Sequence, residues 1–160
     1  MQGGQLLFTK TALRADLGVR TALAPGSPAG NVVLVGYDVD ARGWEPLEHL
    51  FGRPLSARSR FTSEEVDRQL EADIHAAEHS IRSRFAPYDR LDPVRQRALV
   101  QFVFVHGTRG SGFTEICSAL RLALAHLEPA LQGACFTAAA YHARRNARVA
   151  HMLHTGEPLR

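Results

Sequence analysis

His75-Ala76-Ala77-Glu78-His79 comes nearest, by residue type and spacing, to a recognisable chemistry in this chain. It matches H-x-x-E-H, in which two histidines one helical turn apart hold zinc and the glutamate acts as base. A catalytic zinc needs a third protein ligand, and nothing else in the sequence marks one out. His75 and His79 also fall beside the apolar stripe of their helix, which predicts a solvated face and makes them weak metal candidates. No metal and no cofactor is expected. A second cluster, Arg144, Arg145 and Arg148 with His142, His151 and His154, is basic enough to hold an anionic polymer or a protein. Such runs more often form the solvated face of a terminal helix. Thr108-Arg109-Gly110-Ser111-Gly112 is too short for a phosphate-binding loop and lacks the Lys-Ser/Thr that would follow it, so it is read as a turn. Cys117 and Cys135 stand alone in apolar surroundings and are expected reduced, with no signature of a nucleophile.

The bulk numbers set limits on what these groups can serve. With 160 residues, 45% hydrophobic and 22% charged, the chain suits one domain with a real core. A net charge of +3 mildly favours an anionic partner but is too small an excess to indicate nucleic-acid binding. The first residues, MQGGQLLFTK, lack a cationic start and a long apolar run, so no signal peptide is visible. No run approaches the roughly 18 apolar residues of a membrane span. The expectation is a protein made in the cytoplasm, whose export to the cell envelope would need a route not visible in the sequence.

The positioning elements follow from periodicity. Thr62 and Glu65 form a capping box, and behind it Val66, Leu70, Ile74, Ala77, Ile81 and Phe85 trace one apolar face, predicting a helix over 61–85. Its length would be about 36 Å, with the other faces largely solvated, as in a helix bridging two lobes. Before it, residues 5–16 suit a first helix with Leu6, Leu7, Leu13 and Leu17 inward, stopped by Gly18. Residues 24–31 read as a loop. The β-branched run 32–40 reads as a strand with a bulge or turn at Gly36, and 19–23 as a weaker strand that could pair with it. A short amphipathic helix is expected from Trp44 to Phe51. Asp92-Pro93 caps and opens an apolar helix ending at Gly107. Phe113 to Leu131 should follow as another helix, open to interruption at Pro129, then two shorter ones over 134–142 and 143–155.

In YDRLDPVRQRALVQFVFVHGTRGSGFT (88–114), the residues Tyr88, Asp89, Leu91, Asp92, Arg95, Phe104, Gly107, Gly110, Gly112, Phe113 and Thr114 stand in a recognisable pattern. By that pattern the chain resembles the phage-type lysozymes, muramidases of the kind found in T-even phages. Thr62, Glu65, Asp73, Ala76, Ala77 and Ile81 follow that family's linking helix, and Gly52-Arg53, Arg148-Val149 and Thr155-Gly156 extend the match. It implies an α+β, mainly α, two-lobe fold: a small N-terminal lobe with a β-hairpin (about 1–60), a long linking helix (61–85) and a helical C-terminal lobe (86–160). It also implies a bacterial or phage setting and peptidoglycan as the substrate class.

The same resemblance implies that the catalytic chemistry is gone. Aligning Gly18, Arg20 and Gly36 without a gap puts Leu17 at the proton donor's position, Gly26 at the second acid's and Val32 at the threonine's, with Tyr37 in place of a histidine. Glycoside cleavage needs one carboxylic acid to protonate the departing oxygen and a second carboxylate across the bond. Leucine carries no proton to give, and glycine carries no charge. Asp16 and Asp38 are the nearest displaced acids, and one helical step turns Asp16 about 100° from Leu17. In the C-terminal lobe, AAAYHARR (138–145) puts alanines where the family has aromatic and amide sugar contacts. The expected function is therefore a non-catalytic lysozyme-like module that binds a peptidoglycan fragment or another protein, with Arg20, Tyr37, Arg144, Arg145 and Arg148 as binding candidates. An active muramidase using Asp16 or Asp38 is the alternative, and a zinc hydrolase at His75 and His79 stands well behind both.

Overall fold

A computed structural model of the chain describes residues 3–17 and 32–159. The described chain is mainly helical, and the whole divides into two compact units, residues 1–73 and 74–160. Helix α1 (Gly3–Leu17), strands β1 (Val32–Val33) and β2 (Tyr37–Asp38), and helices α2 (Val39–Arg42) and α3 (Glu45–Phe51) belong to the first unit. Helix α4 (Ser63–Arg84) contains the division. Helices α5 (Pro93–His106), α6 (Ser111–Ala125), α7 (Pro129–His142) and α8 (Ala147–Thr155) belong to the second, after a 3-10 turn at Ala86–Arg90. No helix among the described residues is long and apolar enough to cross a membrane.

The start of α4 has the geometry its sequence demands. The Glu65 N–H donates to the Thr62 hydroxyl at 3.2 Å, and the Thr62 N–H donates to the Glu65 carboxylate at 3.0 Å. Arg53 adds two bonds to the same carboxylate, from Nε at 2.8 Å and Nη2 at 3.0 Å. These bonds, led by Arg53, hold the Glu65 carboxyl below the usual range. Val66, Leu70, Ile74, Ala77 and Ile81 are buried along the predicted stripe, as is Phe85 just past the last turn. The expectation that the other faces are solvated needs correction, because Gln69 and Glu78 are also buried, each with hydrogen-bonded partners.

In the first unit, the run 32–40 does not form one strand. It folds back on itself, pairing Val32 with Asp38 and Val33 with Tyr37 in an antiparallel hairpin. Gly36, at φ +68°, supplies the left-handed residue that the turn requires, and Leu34 shares that region at φ +56°. Gln69 makes the fold-back tolerable. Its side-chain oxygen accepts the Val35 N–H at 3.1 Å and its amide donates to the Val35 carbonyl at 3.3 Å, replacing the missing strand partner. Asp38 then turns the chain into α2 by accepting the Ala41 N–H at 3.2 Å. Residues 19–23 and 24–31, read as a weak strand and a loop, lie outside the described residues.

Helix α1 buries Thr9, Ala12 and Leu13, but Leu7 is 63% exposed and not inward as expected. Leu6 and Leu13, seven residues apart, share a face, whereas Leu7 is turned about 100° from Leu6. Lys10 and Arg14 on this helix both pair with Asp67 of α4.

In the second unit Asp92 caps α5, accepting the Arg95 N–H at 3.0 Å, with Pro93 in the first turn. The expected helix over 113–131 is instead two. Helix α6 stops at Ala125 and α7 opens at Pro129, whose missing N–H costs nothing in a first helical turn. The break is sealed by Gln132, whose amide donates to the carbonyls of Ala123 (3.1 Å) and His126 (3.4 Å). Helix α7 packs on α6 and α8, and α8 on α5. Leu99, Ile116, Leu120, Ala139, Val149, Met152 and Leu153 form the centre of this core. Both cysteines are free; burial pushes the Cys117 thiol up to about 12, against a smaller opposing effect of Arg121.

Candidate functional site

The turn before α6 and the segment after α7 enclose a cavity of about 400 Å³ in the second unit. Its floor is apolar. Phe102 and Phe113 are buried there, and the His106 ring lies 4.7 Å from Phe102, centroid to centroid. Gly112 lies against that floor, where a Cβ would come within 3.4 Å of the Phe102 ring. Arg144 and Arg145 line the opposite side, both exposed. The Arg144 guanidinium lies over the Tyr141 ring, 4.2 Å from its centroid, and donates to the Tyr141 carbonyl at 3.0 Å. Neither guanidinium meets a carboxylate among the described residues. The one carboxylate of the wall, Glu115, lies 3.0 Å from His142 Nδ1.

A smaller cavity, about 200 Å³, lies in the first unit between α3, α4 and the hairpin. Tyr37 lines it, but its polar atom is already used: the hydroxyl donates to the Gly43 carbonyl at 2.9 Å. The Arg42 guanidinium covers the ring at 4.1 Å and pairs with Asp73 at 3.0 Å. Burial, ahead of the opposing charge of Arg42, raises the Tyr37 phenol. The arrangement is a closed polar clamp that holds the hairpin to α4.

No family model matches the sequence, and no curated protein matches it.

The remaining sequence candidates separate into three groups. Gly26 and Arg20 lie outside the described residues. So do the side chains of Asp16, Leu17 and Val32, although Asp16 and Leu17 end α1 and Val32 belongs to β1. Asp38 is exposed and engaged as the cap of α2. His75 and His79 are exposed on α4, and no group of three or more metal-ligating side chains occurs among the described residues. Glu78, the third member of that motif, is buried and accepts the Tyr88 hydroxyl at 3.0 Å, so it belongs to the core of the second unit. Of the basic cluster, Arg144, Arg145 and His142 meet at the larger cavity, whereas Arg148 does not line it. His154 instead contacts the Thr137 hydroxyl at 3.2 Å through Nδ1.

In the sequence the 108–112 turn and the basic cluster stand as separate features. The structure brings Gly110, Ser111 and Gly112 onto one cavity with Arg144, Arg145 and His106. The signal that could have joined them is the helical stretch between, whose two antiparallel helices return the chain to its starting point.

Proposed function

We propose that this chain is a lysozyme-like module that has lost hydrolysis and retains binding to peptidoglycan. The single observation that carries this reading is the occupancy of the catalytic positions implied by the resemblance: Leu17, Gly26 and Val32, none able to move a proton or hold charge. Support comes from two acids of the first unit. Asp38 is committed to a helix cap and Asp73 to Arg42, which leaves neither shaped as a proton donor. Replacing polar active-site groups by apolar ones commonly stabilises a fold, so a scaffold freed from catalysis accepts such changes. Exposed cations at Arg144 and Arg145, on a chain of net charge +3, suit an anionic wall polymer.

Co-sedimentation with purified, insoluble peptidoglycan tests the binding. The chain should leave the supernatant in proportion to the added wall, and Arg144→Gln/Arg145→Gln should reduce that retention. A chain that stays wholly in the supernatant at low ionic strength would overturn this reading.

A further inference from the structure

We propose that the cavity at the start of α6 is a binding site for a phosphate group carried on a small body of about sugar size. Three features of the wall select that chemistry. Two exposed guanidinium groups, Arg144 and Arg145, face the space, and neither is paired with a carboxylate among the described residues. Guanidinium forks match the oxygens of a phosphate in pairs, and two of them balance a dianion. Arg144 is held in place by the Tyr141 ring and carbonyl, so less freedom is lost when it takes a ligand.

The rim opposite the arginines is backbone. Gly110 precedes α6 and brings no side-chain cap, so the first-turn N–H groups of Ser111, Gly112 and Phe113 have no intrahelical acceptor. They add donors aimed in one direction and the positive end of a 15-residue helix. A Cβ at Gly110 would meet nothing within 4 Å, which leaves room for oxygen atoms to approach the backbone. The third feature is the floor. The Phe102, Phe113 and His106 rings lie under a volume of about 400 Å³, which exceeds a bare phosphate and suits a pyranose-sized body. Glu115, the only acid of the wall, is drawn to His142 and away from the arginines.

The phosphate could be carried by a free phosphomonoester or by the phosphodiester of an anionic wall polymer. The shared chemistry is the oxyanion, and the site goes beyond the peptidoglycan reading: losing phosphate binding while wall retention persists would sink this proposal alone.

The test is calorimetric titration of the full chain with inorganic phosphate, with N-acetylglucosamine 6-phosphate and with poly(glycerol phosphate), alongside amide chemical-shift mapping. The sugar phosphate should bind at one site, more tightly than inorganic phosphate, and shift the amides of Ser111, Gly112 and Phe113. Arg144→Gln and Arg145→Gln should each weaken it by about tenfold, the loss of one charge-assisted bond. Preferential binding of the polymer would identify the phosphodiester as the source. Ser111→Asp provides the variant that keeps the fold, since an acid in the first turn suits the helix while its charge excludes a phosphate. If neither phosphate source binds, or if Ser111→Asp binds as tightly as the wild type with its helix intact, the site is not what we propose.

Discussion

The Nδ1 of His142 lies 3.0 Å from Oε2 of Glu115, so the single acid on the wall of the α6 cavity is held by an imidazole and not by Arg144 or Arg145. The pair joins the start of α6 to the end of α7, two consecutive helices that pack on each other. Its consequence is a local excess of positive charge, with both guanidinium groups left for an outside anion.

Removing that acid should therefore strengthen anion binding. Glu115→Gln keeps the shape of the side chain and deletes one negative charge from the cavity wall. The affinity for a sugar phosphate should rise by a factor of about three to ten at low salt, and the gain should shrink as salt screens it. Titration at two ionic strengths reads this directly.

The cap of α4 gives a stability prediction with a defined pH sense. Thr62→Ala should cost about 1 kcal/mol in denaturant melts, the usual loss for a helix cap. Glu65 sits below the normal carboxyl range, chiefly because Arg53 bonds to it and then because Thr62 does. A carboxyl lowered by folding contributes stability that is present above its unfolded value, about 4.3, and is lost as pH falls through the folded value. Melts from pH 7 down to pH 3 should show that loss in the wild type and less of it in Glu65→Gln.

Tyr88 and Glu78 form the corresponding buried pair of the second unit, with Arg82 at 3.7 Å from the carboxylate and 5.0 Å from the Tyr88 ring centroid. Tyr88→Phe removes the phenol that satisfies a buried carboxylate, so it should destabilise the chain by about 1–3 kcal/mol. Burial first, and then the Glu78 charge and bond, raise the Tyr88 phenol. A phenol raised by folding contributes stability in full below its unfolded value, about 10, and that contribution declines as pH rises through the folded value. Absorbance near 295 nm should show Tyr88 silent at about pH 11 in the folded chain and largely ionised after unfolding.

Restoring the emptied positions is the converse experiment. Leu17→Glu, Gly26→Asp and Val32→Thr together should create measurable release of reducing ends from peptidoglycan, while each single change should not. The readout is the triple variant against the wild type at equal, verified folded concentration.

The helices were legible where local chemistry is strong. Thr62 with Glu65, and Asp92 with Pro93, announce their own starts, and the four- and three-residue spacing from Val66 to Ile81 marks the buried stripe without outside help. The sequence is silent where a distant residue decides. Nothing within 32–40 says that Gln69 will serve the backbone of Val35, so the run reads as a strand and not as a hairpin. Gln132 likewise settles where α6 ends, by bonding to Ala123 and His126. Periodicity does not reveal the buried polar residues of α4, because it records apolar side chains only and Gln69 and Glu78 are buried with their bonds. The larger cavity was not legible for the same reason. Its acid and glycines come from 107–115 and its arginines from 144–145, two stretches that the packing of α6 and α7 brings together.

The most direct measurement is the release of reducing ends from purified peptidoglycan by the wild-type chain, with the insoluble fraction assayed for bound protein in the same tubes. A binding module without hydrolysis leaves protein in the pellet and gives no release above buffer across pH 4 to 8. Sustained release that Asp16→Asn or Asp38→Asn abolishes would contradict this reading.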